Sequence, residues 1–207
     1  MAQNSFPEMN RRERRKEETR RKIIEVAMGL FSRQGFDATS MEQIAAETDI
    51  AKATLYSYFP VKEAIISSYM QRRVREFEPE LHRLFRDLPD TRARLFALAD
   101  LATESAKQHR DILLSYYFYR FKTLQEAIKD PNRRSGLEEI LARIIRTGQE
   151  SGEIRTDLAS DVLARHLEFM QLLTIIGWLL DPANCPLPES LYQTHDLFLN
   201  GAGQKST

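Results

Sequence analysis

Residues 39–64 read TSMEQIAAETDIAKATLYSYFPVKEA, and their reading decides the fold. Met41, Ile44 and Ala45 fall at helical spacing behind Ser40, a residue suited to the N-cap. Thr48-Asp49 breaks that run, and a second short helix is expected from Ala51 to Ser57, with Leu55, Tyr58 and Phe59 as apolar positions in and just after it. Two short helices joined by so tight a turn, with one apolar stripe each, cannot form a core by themselves. They need a third helix to lie on. This is the build of a helix-turn-helix, whose second helix enters the major groove of DNA.

The segment just upstream supplies the third helix. Ile23, Ile24, Ala27, Leu30 and Phe31 share one helical face between Glu17 and Arg33, and Gly35 suits the left-handed position that ends such a helix. Residues 1–16 are polar and basic without apolar periodicity and read as a flexible arm. From Arg11 to Lys22 there are eight Lys/Arg against three Glu, a local charge of +5 in a chain whose formal net charge is zero. The molecule is polarised, with its basic end first. Downstream, Pro60 ends the second short helix. A longer helix is expected from near Val61, carrying Ala64, Ile65, Ser68, Tyr69 and Val74 inward. After it the pattern is helical throughout, with no strand-like alternation, so the fold class is all-α with about nine helices. The expected division is an arm at 1–16, a helix-turn-helix domain at 17–62 and a helical domain at 63–207.

The totals narrow the function classes. A chain of 207 residues that is 42% apolar and 29% charged is globular, not disordered. Cys185 is the only cysteine, which excludes an intrachain disulfide framework and a multi-thiolate metal site. His82, His109, His166 and His195 form no i, i+4 pair, and no nucleophile elbow, phosphate loop or paired-carboxylate signature is present. No catalytic site, metal or cofactor is expected. The opening MAQNSFPEMN lacks the apolar core of a signal peptide, and the apolar stretch from Phe169 to Leu180 is short for a membrane span and interrupted by Gln171 and Thr174. A cytoplasmic protein without a membrane partner is the simplest expectation. The helix from Asp161 to Leu180 becomes apolar over nearly its whole circumference, so it must be buried all round, either at the centre of a monomer or against a second copy. The second is favoured, with Leu172, Ile176, Leu180, Leu191 and Phe198 as the homodimer contacts.

Ile24, Ala27, Leu30, Phe31, Gly35-Phe36, Thr39-Ser40, Ile44-Ala45, Thr54-Leu55-Tyr56, Tyr58-Phe59 and Lys62-Glu63 together resemble the tetracycline-repressor family of bacterial transcriptional regulators. The likeness runs from Thr19 to Tyr69, a quarter of the chain. Four positions depart from the family pattern. Asp49 stands where Gly is usual in the turn, and Asp tolerates the left-handed backbone better than most residues. Ala51 and Val61 stand where helix-capping residues are usual, and alanine at an N-cap costs about 1 kcal/mol relative to serine. Ala53 replaces a common Gly.

The resemblance implies roles for individual residues. Ser40 would hold a backbone phosphate at a helix N-terminus. Lys52 would donate to guanine, Thr54 would meet thymine or phosphate, and Ala53 would let the helix approach a thymine methyl. Tyr56, Ser57 and Tyr58 would lie along the DNA, although packing remains open for both tyrosines. Lys62 would clamp a phosphate. Arg11, Arg12, Arg14 and Arg15, with Lys16, would follow the minor groove or the phosphates, unless they are only a solvated charge run.

The resemblance also implies a pocket in the C-terminal helices for a small-molecule effector of unidentified, apolar and bulky character. Filling it would tilt the fourth helix and spread two recognition helices from their spacing of about 34 Å. His109, Tyr116, Tyr117, Phe121, Phe169, Met170 and Trp178 are the lining candidates, with core packing as their alternative. The expected function is a homodimeric repressor on a palindromic double-stranded operator, released by that effector. A helical interaction protein, or a small enzyme retaining the helix-turn-helix as a structural unit, is the other reading. Lys52, Thr54 and the basic arm discriminate, because a vestigial reader has no need of exposed cations there.

Overall fold

Asn10 opens the first helix. Its side-chain oxygen accepts from the backbone N–H groups of Arg12 and Glu13 at 3.0 Å each, and the Glu13 carboxylate accepts from the Asn10 N–H at 3.0 Å. This reciprocal capping box satisfies amides that a helix start otherwise leaves open. The helix it starts, α1 (Arg11–Gln34), therefore takes in Arg11 to Lys16, which were expected in a flexible arm. The computed structural model describes residues 10–130 and 134–202, and the part of that arm at 1–9 lies outside the described residues.

Ser40 caps α2 (Met41–Thr48) by a second capping box with Gln43. Asp49 follows in the left-handed region (φ 59°, ψ 49°), as the turn requires. Helix α3 (Lys52–Tyr58) then starts from Ala51 with no side-chain cap, and α4 (Lys62–Glu76) begins after Pro60. Ile23, Leu30, Ile44, Leu55, Phe59, Ile65 and Ile66 are fully buried. The first compact unit ends at Tyr69 and not at residue 62, because the first turns of α4 belong to its core. Arg20 adds a tie, donating to the Ser68 hydroxyl at 2.7 Å.

The second unit begins at Met70 and holds α5 (Glu78–Asp87), α6 (Thr91–Gln108), α7 (Arg110–Lys122), α8 (Leu124–Lys129), α9 (Leu137–Glu150), α10 (Ser160–Leu180) and α11 (Leu187–Ala202). The described residues thus form eleven helices and no extended strand. The number exceeds expectation partly because Thr123 separates α7 from α8 within what reads as one run. Leu81, Leu95, Leu141, Ile144, Leu163, Ala164 and Leu167 make the core, in which α10 packs against α9 and α11.

Helix α10 has 21 residues and is long and apolar enough to cross a membrane by length and composition. It is not short, as its apolar stretch suggested, but Leu163, Leu167, Leu172, Ile175 and Trp178 are buried within the unit, which is the placement of a core helix. Its burial is one-sided. Leu172, Leu191 and Phe198, expected at a dimer contact, lie in the interior of the single chain. Leu173 and Leu180 instead point outward, 62% and 66% exposed, with Ile176 half-buried between them and Leu197 of α11 also exposed. A neighbouring pair such as Leu172 and Leu173 differs by one helical step of about 100°, enough to carry a side chain from one face to another.

Candidate functional site

The outer face of α3 is polar and exposed. Leu55 and Phe59 are buried, which leaves Lys52, Ala53, Thr54, Tyr56 and Ser57 exposed and Tyr58 half-buried. The packed side of a seven-residue helix thus fixes the direction of the polar side. Ser57 donates to the Thr54 carbonyl at 2.7 Å, and the Ser40 hydroxyl accepts from the Gln43 N–H at 3.1 Å.

Lys52 is held in position by α2. Its ammonium forms an ion pair with Glu42 and lies 5.8 Å from the Tyr56 ring centroid. The hydrogen bond raises the Lys52 pKa above its ordinary value and lowers that of Glu42. Glu42 was not singled out by sequence reading, because nothing local to it identifies a partner one helix away. The cation is thus exposed at a helix start and held there by a carboxylate of the neighbouring helix.

Lys62 is engaged within its own unit. Its ammonium donates to the carbonyls of Phe36 and Thr39, 2.6 Å each, and sits 4.3 Å from the Phe36 ring centroid. It staples the loop between α1 and α2 to the start of α4. Lys22 does a similar task, donating to the Thr48 carbonyl at 2.8 Å. Arg11, Arg12, Arg14, Arg15 and Lys16 are all exposed on the first turns of α1. They form a helical basic end rather than an irregular one.

The second unit contains a cavity of about 250 Å³. Val74, Phe77, Leu98, Leu113, Ile140 and Ile175 are among its apolar walls, and Tyr116, Tyr117, Arg120, Ser135, Glu168 and Gln171 provide polar atoms. Burial raises the pKa of both tyrosines, so their hydroxyls stay neutral donors. Of the aromatic and other lining candidates, only Tyr116 and Tyr117 face the cavity. His109 sits at the α6–α7 junction with Nδ1 2.9 Å from the Ser105 carbonyl oxygen, Phe121 is 40% exposed, and Met170 packs on the core. Trp178 is buried with the Arg110 guanidinium 5.3 Å from its ring, and Phe169 shares the outward stripe of Leu173. Leu172, assigned to the dimer from sequence, lines the cavity. No cluster of three or more His, Cys, Asp or Glu is placed for a metal among the described residues.

A tightly joined helix pair with a polar, cation-bearing second helix, followed by a separate helical unit, is the build of a helix-turn-helix DNA-binding transcriptional regulator. Residues 23–69 match the bacterial regulatory proteins of the tetR family. An HTH-type transcriptional regulator of Bacillus subtilis, YuxN, is 46% identical over 48 residues, a match that spans 23% of this chain and 16% of that protein. The fatty acid metabolism regulator of Bacillus subtilis is 25% identical over 189 residues, 88% of this chain and 95% of its own. The crystal structure of Thermus thermophilus FadR, a TetR-family repressor in complex with lauroyl-CoA, superposes with a TM-score of 0.77 at 25% identity, covering 91% of this chain and 97% of that one. Residues 23–69 thus carry the match to the tetR family, and the chain as a whole is similar to regulators of that family.

Proposed function

We propose that this regulator is a homodimeric repressor of a palindromic operator, released when an acyl amphiphile occupies the cavity of its second unit. The observation that carries the reading is the course of α4. Its first half places Ala64, Ile65 and Ile66 in the core of the DNA-binding unit, and its second half lines the cavity with Met70, Arg73 and Val74. One continuous helix thus belongs to both sites, and a ligand that shifts one end of it acts on the other. The ligand class is supported by the apolar walls and by two similar proteins, the FadR proteins solved with lauroyl-CoA and, from Bacillus subtilis, with stearoyl-CoA. The outward leucines of α10 and α11 support the dimer.

The test is a gel shift on the DNA upstream of the protein's own gene, with and without lauroyl-CoA. A sequence-selective complex that the acyl-CoA dissolves supports the reading; a complex indifferent to acyl-CoA sinks the release step, and no selective complex sinks the operator. Two variants separate the roles of the recognition helix and the basic end. Lys52→Ala should lose about 1–3 kcal/mol of discrimination at one base position while keeping non-specific affinity. Replacing Arg11, Arg12, Arg14 and Arg15 by glutamine should weaken binding to all sequences alike and lower the slope of log K against log salt by about 0.9 for each phosphate no longer neutralised. An unchanged slope would remove those arginines from the interface.

A further inference from the structure

The buried polar pair on the cavity wall is internally neutral, and that constrains what is seated against it. Glu168 of α10 is 5% exposed, and its Oε1 accepts from the Arg120 guanidinium of α7 at 3.0 Å and from the Ser135 hydroxyl. Arg120 lies 5.8 Å from the Tyr116 ring centroid. Burial alone would lower the Arg120 pKa, but Tyr116 and Glu168 more than offset it, so the guanidinium remains charged. The buried wall of the cavity therefore presents a closed cation–anion pair beside neutral polar groups, and the other charged lining residue, Arg73, is exposed to solvent.

We infer that the effector offers a neutral hydrogen-bonding group, an ester, thioester, amide or hydroxyl, to the Arg120–Glu168 pair, and that a free carboxylate is excluded; this rests on the cavity being the effector site. A carboxylate beside the pair would meet a cation and an anion in contact with each other. Its attraction to Arg120 is offset by repulsion from Glu168, while its lost hydration is not restored. An ammonium meets the mirror-image problem. A carbonyl adds no charge and accepts from a guanidinium N–H, and a hydroxyl donates to the carboxylate. The pair therefore selects against the charged relatives of a ligand whose apolar body fills the space beside Leu98, Leu113 and Ile140.

The experiment compares methyl dodecanoate, dodecanoate and dodecylammonium by calorimetry or dye displacement on the full chain at neutral pH. The wild type should bind the ester about tenfold or more tightly than either ion. Glu168→Gln leaves Arg120 without its anion and should turn the preference to dodecanoate. Arg120→Gln leaves the carboxylate and should turn it to dodecylammonium. General damage to the fold cannot move the two variants in opposite directions. A wild type that prefers dodecanoate, or variants that keep the wild-type order, would overturn the inference while leaving the cavity as the site. Binding of none of the three to any form would overturn the cavity reading, and the inference with it.

Discussion

Replacing Leu173 and Leu180 by glutamate should leave the chain folded, make it monomeric and cost it most of its operator affinity. Both side chains are nearly two-thirds exposed, at 62% and 66%, so neither supports the core of its own chain and a charge at either is tolerated there. Phe169, Leu173, Ile176 and Leu180 recur at i, i+4, i+7 and i+11 of α10, which places them along one stripe, and α11 adds Leu197. In a two-fold dimer each substitution occurs twice, so the double variant removes four leucines from the interface. At about 1.5–3 kcal/mol for each leucine buried, the loss exceeds 6 kcal/mol before the cost of desolvating carboxylates is added. A monomer reads one half-site, and losing the second head should lower apparent operator affinity by about 10²–10⁴-fold. Sedimentation and gel shift check the two parts separately. A double variant that still sediments as a dimer would place the interface elsewhere.

What could be read ahead of the structure divides by the range of the interaction. The helix-turn-helix was legible because its signals are local: the Ser40 cap, Asp49 in the turn, Ala51 without a cap, and apolar spacing around Ile44 and Leu55. The start of α1 was missed although its signal is equally local, since Asn10 and Glu13 cap a turn that has no apolar face to mark it. The internal contacts of Lys62 were hidden for a different reason. A lysine at a helix start looks the same whether it meets phosphate or two carbonyls, and Phe36 and Thr39 become its partners only in the folded unit. The aromatic run on α7 covers the whole circumference, so spacing alone could not choose Tyr116 and Tyr117 over Phe121. Arg120 and Glu168 lie 48 residues apart and carry no shared pattern. Helix α10 was correctly marked as too apolar for a solvent-facing helix, but the side turned inward depended on how α9 and α11 pack against it.

That packing has a cost at low pH, carried by His195. The residue is fully buried on α11, its Nε2 meets the Gln171 side chain, and the Phe96 ring lies 6.1 Å away, centroid to centroid. Burial lowers its pKa to about 4, with only a smaller opposing effect from the Leu95 backbone. In the unfolded chain an ordinary histidine titrates near 6.5, so between these values the unfolded state binds the extra proton. Stability is therefore fully present above the unfolded value and falls as the pH drops through the window toward 4. A difference of this size corresponds to roughly 3 kcal/mol across the window. The geometry agrees with the sign, because a neutral Nε2 accepts from the Gln171 amide whereas a protonated one would set donor against donor. His195→Gln keeps a polar partner of similar size and cannot titrate. Carboxylates also titrate in this range, but they do so in both proteins, so their contribution cancels in the comparison. Urea midpoints measured at neutral pH and at about pH 4.5 should fall more steeply for the wild type than for the variant, at unchanged m-value. Parallel stability profiles would show that His195 is not the group being protonated.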